Sequence, residues 1–237
     1  MNREMMNSEE MARMLGLGND LHADDASTQL ESHLISIEDR LRELAHGDPL
    51  ERGRVELERA RTLVALGRGE EAWPVARPLV DLFVGAEEWE LAVEACDALF
   101  LTEQPEALVA LGNGLWLSIT YPVDPELTVA LLQHVVDETP PDSDGAAVAA
   151  AVAAWIVDLR APEEAEDLRF FVQRLLGTVA QRHSQVESEE QFRFWVQKLE
   201  LDEPDKFMVR MRNVVDVLVQ DDWWFDREAL QQALPVN

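Results

Sequence analysis

Apolar residues recur at helical spacing along the whole chain, and alternation of the kind that marks a strand is nearly absent. Spacing of three and four residues places side chains on one face of a helix, so the pattern predicts an all-α protein. The clearest stretch is 27–45, where Leu30, Leu34, Ile37, Leu41 and Leu44 share a face. Gly47 and Pro49 end it, since neither continues a helix well. A second helix is predicted at about 50–66, with Val55, Ala60, Leu63 and Leu66 inward and Gly67 and Gly69 as its stop.

Glu70-Glu71-Ala72-Trp73 opens a third helix, with its acids where the helix dipole favours them. Pro74 suits a first turn, whereas Pro78 lies deeper and is expected to kink or divide this helix. Helices follow at about 87–101 and 105–120. Asp124-Pro125-Glu126 is a start signal, a side-chain cap followed by proline at the first helical position, for a helix to about 138. The segment 139–145, TPPDSDG, is the strongest internal break. An Ala-rich helix follows at about 146–159, and a long one runs from Pro162 to about His183. Ser188-Glu189-Glu190-Gln191 is a capping box opening a helix to about Leu199. The last two are expected at about 204–219 and 226–233.

The resulting fold class is all-α, built of stacked antiparallel helix pairs, either a regular helical repeat or an irregular helical bundle, with about 9–11 helices in all. The organisation expected is an amphipathic or flexible segment at 1–26, a repeat-like half at 27–138, the linker 139–145 and a C-terminal half at 146–237 packed on the first as one domain.

An offset of 35 residues aligns Ala60 with Ala95, Val64 with Leu99, Leu66 with Leu101, Glu71 with Glu106 and Ala72 with Ala107. Thus 52–86 and 87–121 form two copies of a helix–turn–helix unit. The stretch Ala65-Leu66-Gly67-Arg68-Gly69-Glu70-Glu71-Ala72 resembles the turn and second-helix start of a tetratricopeptide repeat. Thr102 stands where the second copy would carry the glycine, and the register ends after Tyr121. The resemblance covers 52–121 and implies a stacked-helix scaffold that holds a peptide or protein on a concave face.

Composition narrows the partners. The formal net charge is −27, which opposes binding to a nucleic-acid backbone or an anionic membrane surface. It suits a basic protein partner and also suits simple solubility or a halophilic source. Arginine outnumbers lysine and alanine is abundant, as in GC-rich bacteria. Cys96, the only cysteine, sits in an apolar run and reads as a small buried side chain rather than a nucleophile. The N-terminus lacks an apolar signal stretch, so a cytoplasmic protein is expected.

No chemistry-bearing constellation stands out. The histidines at 22, 33, 46, 134 and 183 make no metal-ligand spacing, so no metal and no cofactor are expected. The acidic loop around Asp142 fails as a calcium loop because Ala153 occupies its twelfth position. Carboxylate pairs such as Glu163 and Glu164 cluster at helix starts, where the dipole accounts for them.

Two features are candidates for binding. Trp223, Trp224 and Phe225 cannot all face inward on one helix, so they either anchor a partner or clamp the C-terminus onto the bundle. Met5, Met6 and Met11 form an adaptable apolar surface near the N-terminus. Trp73, Trp89, Trp116, Trp155 and Trp195 are expected in the core. Arg169, Arg174, Arg182, Arg193, Lys198, Lys206, Arg210 and Arg212 make 161–212 less acidic; they are expected to pair with glutamates on adjacent helices or to form a basic strip. The function these features suggest is a non-catalytic protein-binding scaffold: an adaptor, an assembly chaperone or a complex subunit. The alternatives are an acidic mimic of nucleic acid that blocks a basic protein, and an enzyme with a site hidden between helices.

Overall fold

Start signals in the sequence become helix ends in the computed structural model, which describes residues 17–163 and 165–234. Asp48 accepts from the Glu51 amide, with Pro49 in the first helical turn. Asp124 accepts from the amides of Glu126 (2.7 Å) and Leu127 (3.4 Å). Ser188 and Gln191 close a reciprocal capping box. Each such cap satisfies amides that the first helical turn leaves free, and each stabilises by about 1 kcal/mol.

Eleven helices and no strands occur among the described residues. They are α1 (Leu17–Glu43), α2 (Pro49–Ala65), α3 (Gly69–Gly85), α4 (Trp89–Phe100), α5 (Ala107–Thr120) and α6 (Pro125–Glu138). They continue as α7 (Asp144–Arg160), α8 (Glu166–Ser184), α9 (Glu189–Lys198), α10 (Pro204–Val219) and α11 (Arg227–Ala233). Two local expectations need correction. Helix α1 starts at Leu17 rather than near Ser27, so it includes the last ten residues of the segment 1–26 expected to stand apart from it. Pro78 does not divide α3, and Pro74 also lies inside the helix rather than in its first turn. The carbonyls of Glu70 and Pro74 therefore lose the amide four residues on. Packing of Ala72, Ala76, Leu79, Val80 and Phe83, all buried, holds the helix together across both prolines.

From α1 to α8 each helix packs on the next, as short turns between neighbours require. Contacts two helices apart define the layers. One layer holds α2, α4, α6 and α8, where each member touches the next. The second holds α3, α5 and α7, and α10 returns to pack on both α5 and α7. The repeat is visible in the first four of these helices. Ala60 and Ala95 are both fully buried, as is Ala72, and Ala107 is nearly so. The two turns also meet, because Gly69 lies against the Thr102 carbonyl with no room for a β-carbon. Thr102, in the place of the missing glycine, is not the residue that reverses the chain. Glu103 takes the left-handed backbone there (φ 56°), as Gly67 does in the first copy (φ 70°).

The register ends where α10 enters. Helix α5 is buried on every side through 110–118, and α7 through 146–153, so both lie inside the bundle. Helix α10 presents Phe207, Met211, Val215 and Val219, one residue in four, as its buried stripe. Burial of such side chains stabilises by about 1.5–3 kcal/mol each. The approach is close: a β-carbon on Gly112 would sit 2.6 Å from Val219 Cγ2 and 3.2 Å from the Val219 amide nitrogen. A regular solenoid would place α7 beside α5, and here α10 stands between them.

The arginines of 161–212 are corrected too. Rather than meeting glutamates on other helices, Arg169, Arg182 and Arg210 donate to backbone carbonyls of Pro162, Val136 and Leu199 respectively. Arg193 and Arg212 pair within their own helices, and Lys206 bonds Glu200 and Glu203 beside the start of α10. Arg160 of α7 donates to the Ser118 and Ile119 carbonyls, both at 2.7 Å. It thus caps the C-terminal end of α5, where the helix dipole favours a cation.

Glu87, exposed and left-handed (φ 60°), joins α3 to α4 in a turn closed by the Glu88 amide on the Phe83 carbonyl. A side chain there carries a steric penalty that glycine lacks. Glu87→Gly is expected to raise unfolding stability by about 0.5–1 kcal/mol, read as a higher urea midpoint. An unchanged or lower midpoint would refute this account of the turn.

Candidate functional site

Helix α10 ends at Val219, and Gln220 and Asp221 are both left-handed (φ 51° and 67°). This reversal throws Trp223, Trp224 and Phe225 back over α5. Asn113, fully buried in α5, receives them. Its Nδ2 donates to the Val109 carbonyl (2.9 Å) and the Asp222 carbonyl (3.3 Å), and its Oδ1 accepts from the Trp224 amide (3.1 Å). Both ends of the amide are therefore satisfied, as burial demands.

The aromatics complete the clamp. Trp223 meets Trp116 edge-on at 6.2 Å, Phe225 lies 5.3 Å from Trp116, and Trp224 meets Trp73 of α3 at 6.2 Å. The Arg77 guanidinium lies 4.1 Å from the Trp224 ring centre, and that of Arg227 lies 4.4 Å from Trp223. Arg227 also pairs with Asp216 of α10 at 2.9 Å. On the far side Trp89 stacks on Tyr121 at 3.7 Å, and burial pushes the Tyr121 hydroxyl pKa up. The structure thus brings the three aromatics together from one loop, half-buries them and engages them within the molecule. Met5, Met6 and Met11 lie outside the described residues. Trp116 and Trp195 are buried, and Trp73, Trp89 and Trp155 pack partly buried against the core.

Two of the open surfaces among the described residues bear on binding. The first is a groove of about 480 Å³ between α1, α2 and α4. Its carboxylates are already matched, Glu94 by Arg61 at 2.7 Å and Glu58 by Arg40 at 2.7 Å. Partial burial pushes the Glu94 carboxyl up, and Arg61 opposes that shift. The second is an apolar furrow made of two hollows. One, of about 390 Å³, lies among Leu108, Val135, Val214, Val217 and Leu218. The other, of about 330 Å³, lies among Phe100, Leu101, Gln104 and Ala107. Leu108 and Glu138 line both hollows, so the furrow is continuous. Three of its aliphatic residues are open, Val217 at 72% exposed, Leu101 at 44% and Leu108 at 39%, whereas Val135 is buried. Glu103 and Glu138 line it, and no lysine or arginine does.

For chemistry the structure offers little. Among the described residues no group of three or more His, Cys, Asp and Glu is arranged to hold a metal, and no helix is long and apolar enough to cross a membrane. Cys96 is fully buried, and burial pushes its thiol pKa far up, so it stays protonated. The chain matches no protein-family model, no curated protein and no solved structure.

Sequence reasoning missed Asn113 and the furrow. The signal for Asn113 was present: an amide between two glycines in an otherwise apolar helix must find partners from elsewhere in the chain. The furrow had no such signal, because residues of α4, α5, α6, α7 and α10 and of the turns between them line it.

Asn113→Leu would strand the Trp224 amide and the Asp222 carbonyl. It is expected to destabilise the protein by about 2–3 kcal/mol and to shift the tryptophan emission of the native state. A variant as stable as the parent would contradict the clamp. Cys96 should react with a thiol reagent only as fast as the chain opens, so labelling accelerates with urea. Rapid labelling in native buffer would contradict its burial.

Proposed function

We propose that this protein is a non-catalytic scaffold that holds another protein, as an adaptor, assembly chaperone or complex subunit of the cytoplasm. The supporting observation is the continuous furrow, with open aliphatic residues on α5, on α10 and in the turn after α4. Exposed apolar surface of that kind is unfavourable in isolation and marks contact sites. In this reading α2–α5 are two units similar to tetratricopeptide repeats, supported by the buried alanine pairs and the touching turns. The unit departs from a regular array at α5, where α10 occupies the next position. The aromatic clamp then serves the scaffold by fixing α10, one wall of the furrow.

The test is gentle purification of the full chain from its native host, with mass spectrometry of what accompanies it. A partner in fixed proportion is expected, lost in the Leu108→Ser/Val217→Ser variant, which alters only exposed side chains. A chain that elutes alone, or a partner that persists with this variant, would contradict the assignment to the furrow.

A further inference from the structure

We infer that the furrow takes an amphipathic helix whose apolar stripe is flanked by lysine or arginine, supplied by a different protein; this rests on the scaffold reading above. Three observations carry it. The furrow is lined by helix ends, by residues of the turns 101–106 and 139–143 and by the outer face of α10, with no strand among the described residues. It offers no sheet edge, so an occupant lying on its apolar floor must satisfy its own backbone, and a helix does so.

The floor is aliphatic and open at Leu101, Leu108 and Val217, suited to side chains at positions i, i+3 or i+4 and i+7 of an incoming helix. The rim is acidic. Glu103 and Glu138 line the furrow, and the exposed Glu106, Asp137 and Asp142 lie on the same segments, in a chain of net charge −27. The contrast with the groove between α1, α2 and α4 is direct. There each lining carboxylate has an arginine partner, Arg40 for Glu58 and Arg61 for Glu94, and in the furrow no lysine or arginine lines the wall. Unmatched carboxylates around an apolar floor favour a cationic occupant and repel a second copy of this acidic chain.

The probe is a synthetic 18-residue helix with leucine at the stripe positions and lysine on both flanks. It is titrated into the full chain by calorimetry at physiological ionic strength. Two control peptides replace lysine by glutamate, or leucine by serine. One-to-one binding of the lysine–leucine peptide is expected, weakened about tenfold or more in the glutamate peptide and undetectable for the serine peptide. Leu108→Ser/Val217→Ser and Glu103→Gln/Glu138→Gln should each weaken the lysine–leucine peptide about tenfold.

Equal binding of the serine peptide, or binding untouched by both variants, would show attraction to the acidic surface at large and overturn the inference. So would a dimer in sedimentation that Leu108→Ser/Val217→Ser dissolves, because the occupant would then be a second copy. If the peptide fails to bind while a native partner still co-purifies through the furrow, the helix assignment falls and the scaffold stands. If neither binds, both fall.

Discussion

The architecture depends on the absence of a side chain at Gly112. Helix α10 comes so near α5 there that a β-carbon would meet Val219 at 2.6 Å. One residue on, Asn113 turns the same contact into a specific one by bonding the main chain of the loop that follows α10. Close approach and amide recognition work together. Glycine sets how near the helix lies, and asparagine sets which stretch of chain may lie there. The aromatic residues then add area around a position already determined, and two left-handed residues before them are held in a backbone that is unfavourable alone.

From this seat follows the departure from a regular stack. The first four paired helices repeat with buried alanines at equivalent places, and continuation would set α7 beside α5. With α10 between them, α7 packs instead on α6, α8 and α10, and its alanines allow that crowding. The same insertion leaves the N-terminal end of α5, the C-terminal end of α6 and the outer face of α10 facing one another across an unfilled space. The larger hollow of the furrow is therefore a by-product of how α10 docks. The protein's negative charge takes on meaning there, because at the furrow carboxylates border an apolar floor without basic neighbours.

The sequence was most informative where the physics is local. Caps at Asp48, Asp124 and Ser188 depend on residues within a turn of each other, and all three form. It was least informative where distant segments decide the outcome. Pro78 looked like a break because the packing that holds α3 together lies on other helices. The arginines of 161–212 looked like partners for carboxylates, yet Arg169, Arg182 and Arg210 serve carbonyls near helix ends that no spacing rule identifies. Two readings of Trp223, Trp224 and Phe225 were open in the sequence, anchor or clamp. Asn113, Trp116 and Trp73, all more than a hundred residues earlier, make the contacts that engage them within the chain.

The central claim is that α10 is a structural member of the bundle, packed through its buried stripe on both α5 and α7. Native-state hydrogen exchange resolved by residue tests it most directly. The account predicts that the inner-face amides of α10, around Met211 and Val215, exchange in the same slow class as those of α5 and α7. Exchange of α10 several orders of magnitude faster, while α5 and α7 remain protected, would contradict it.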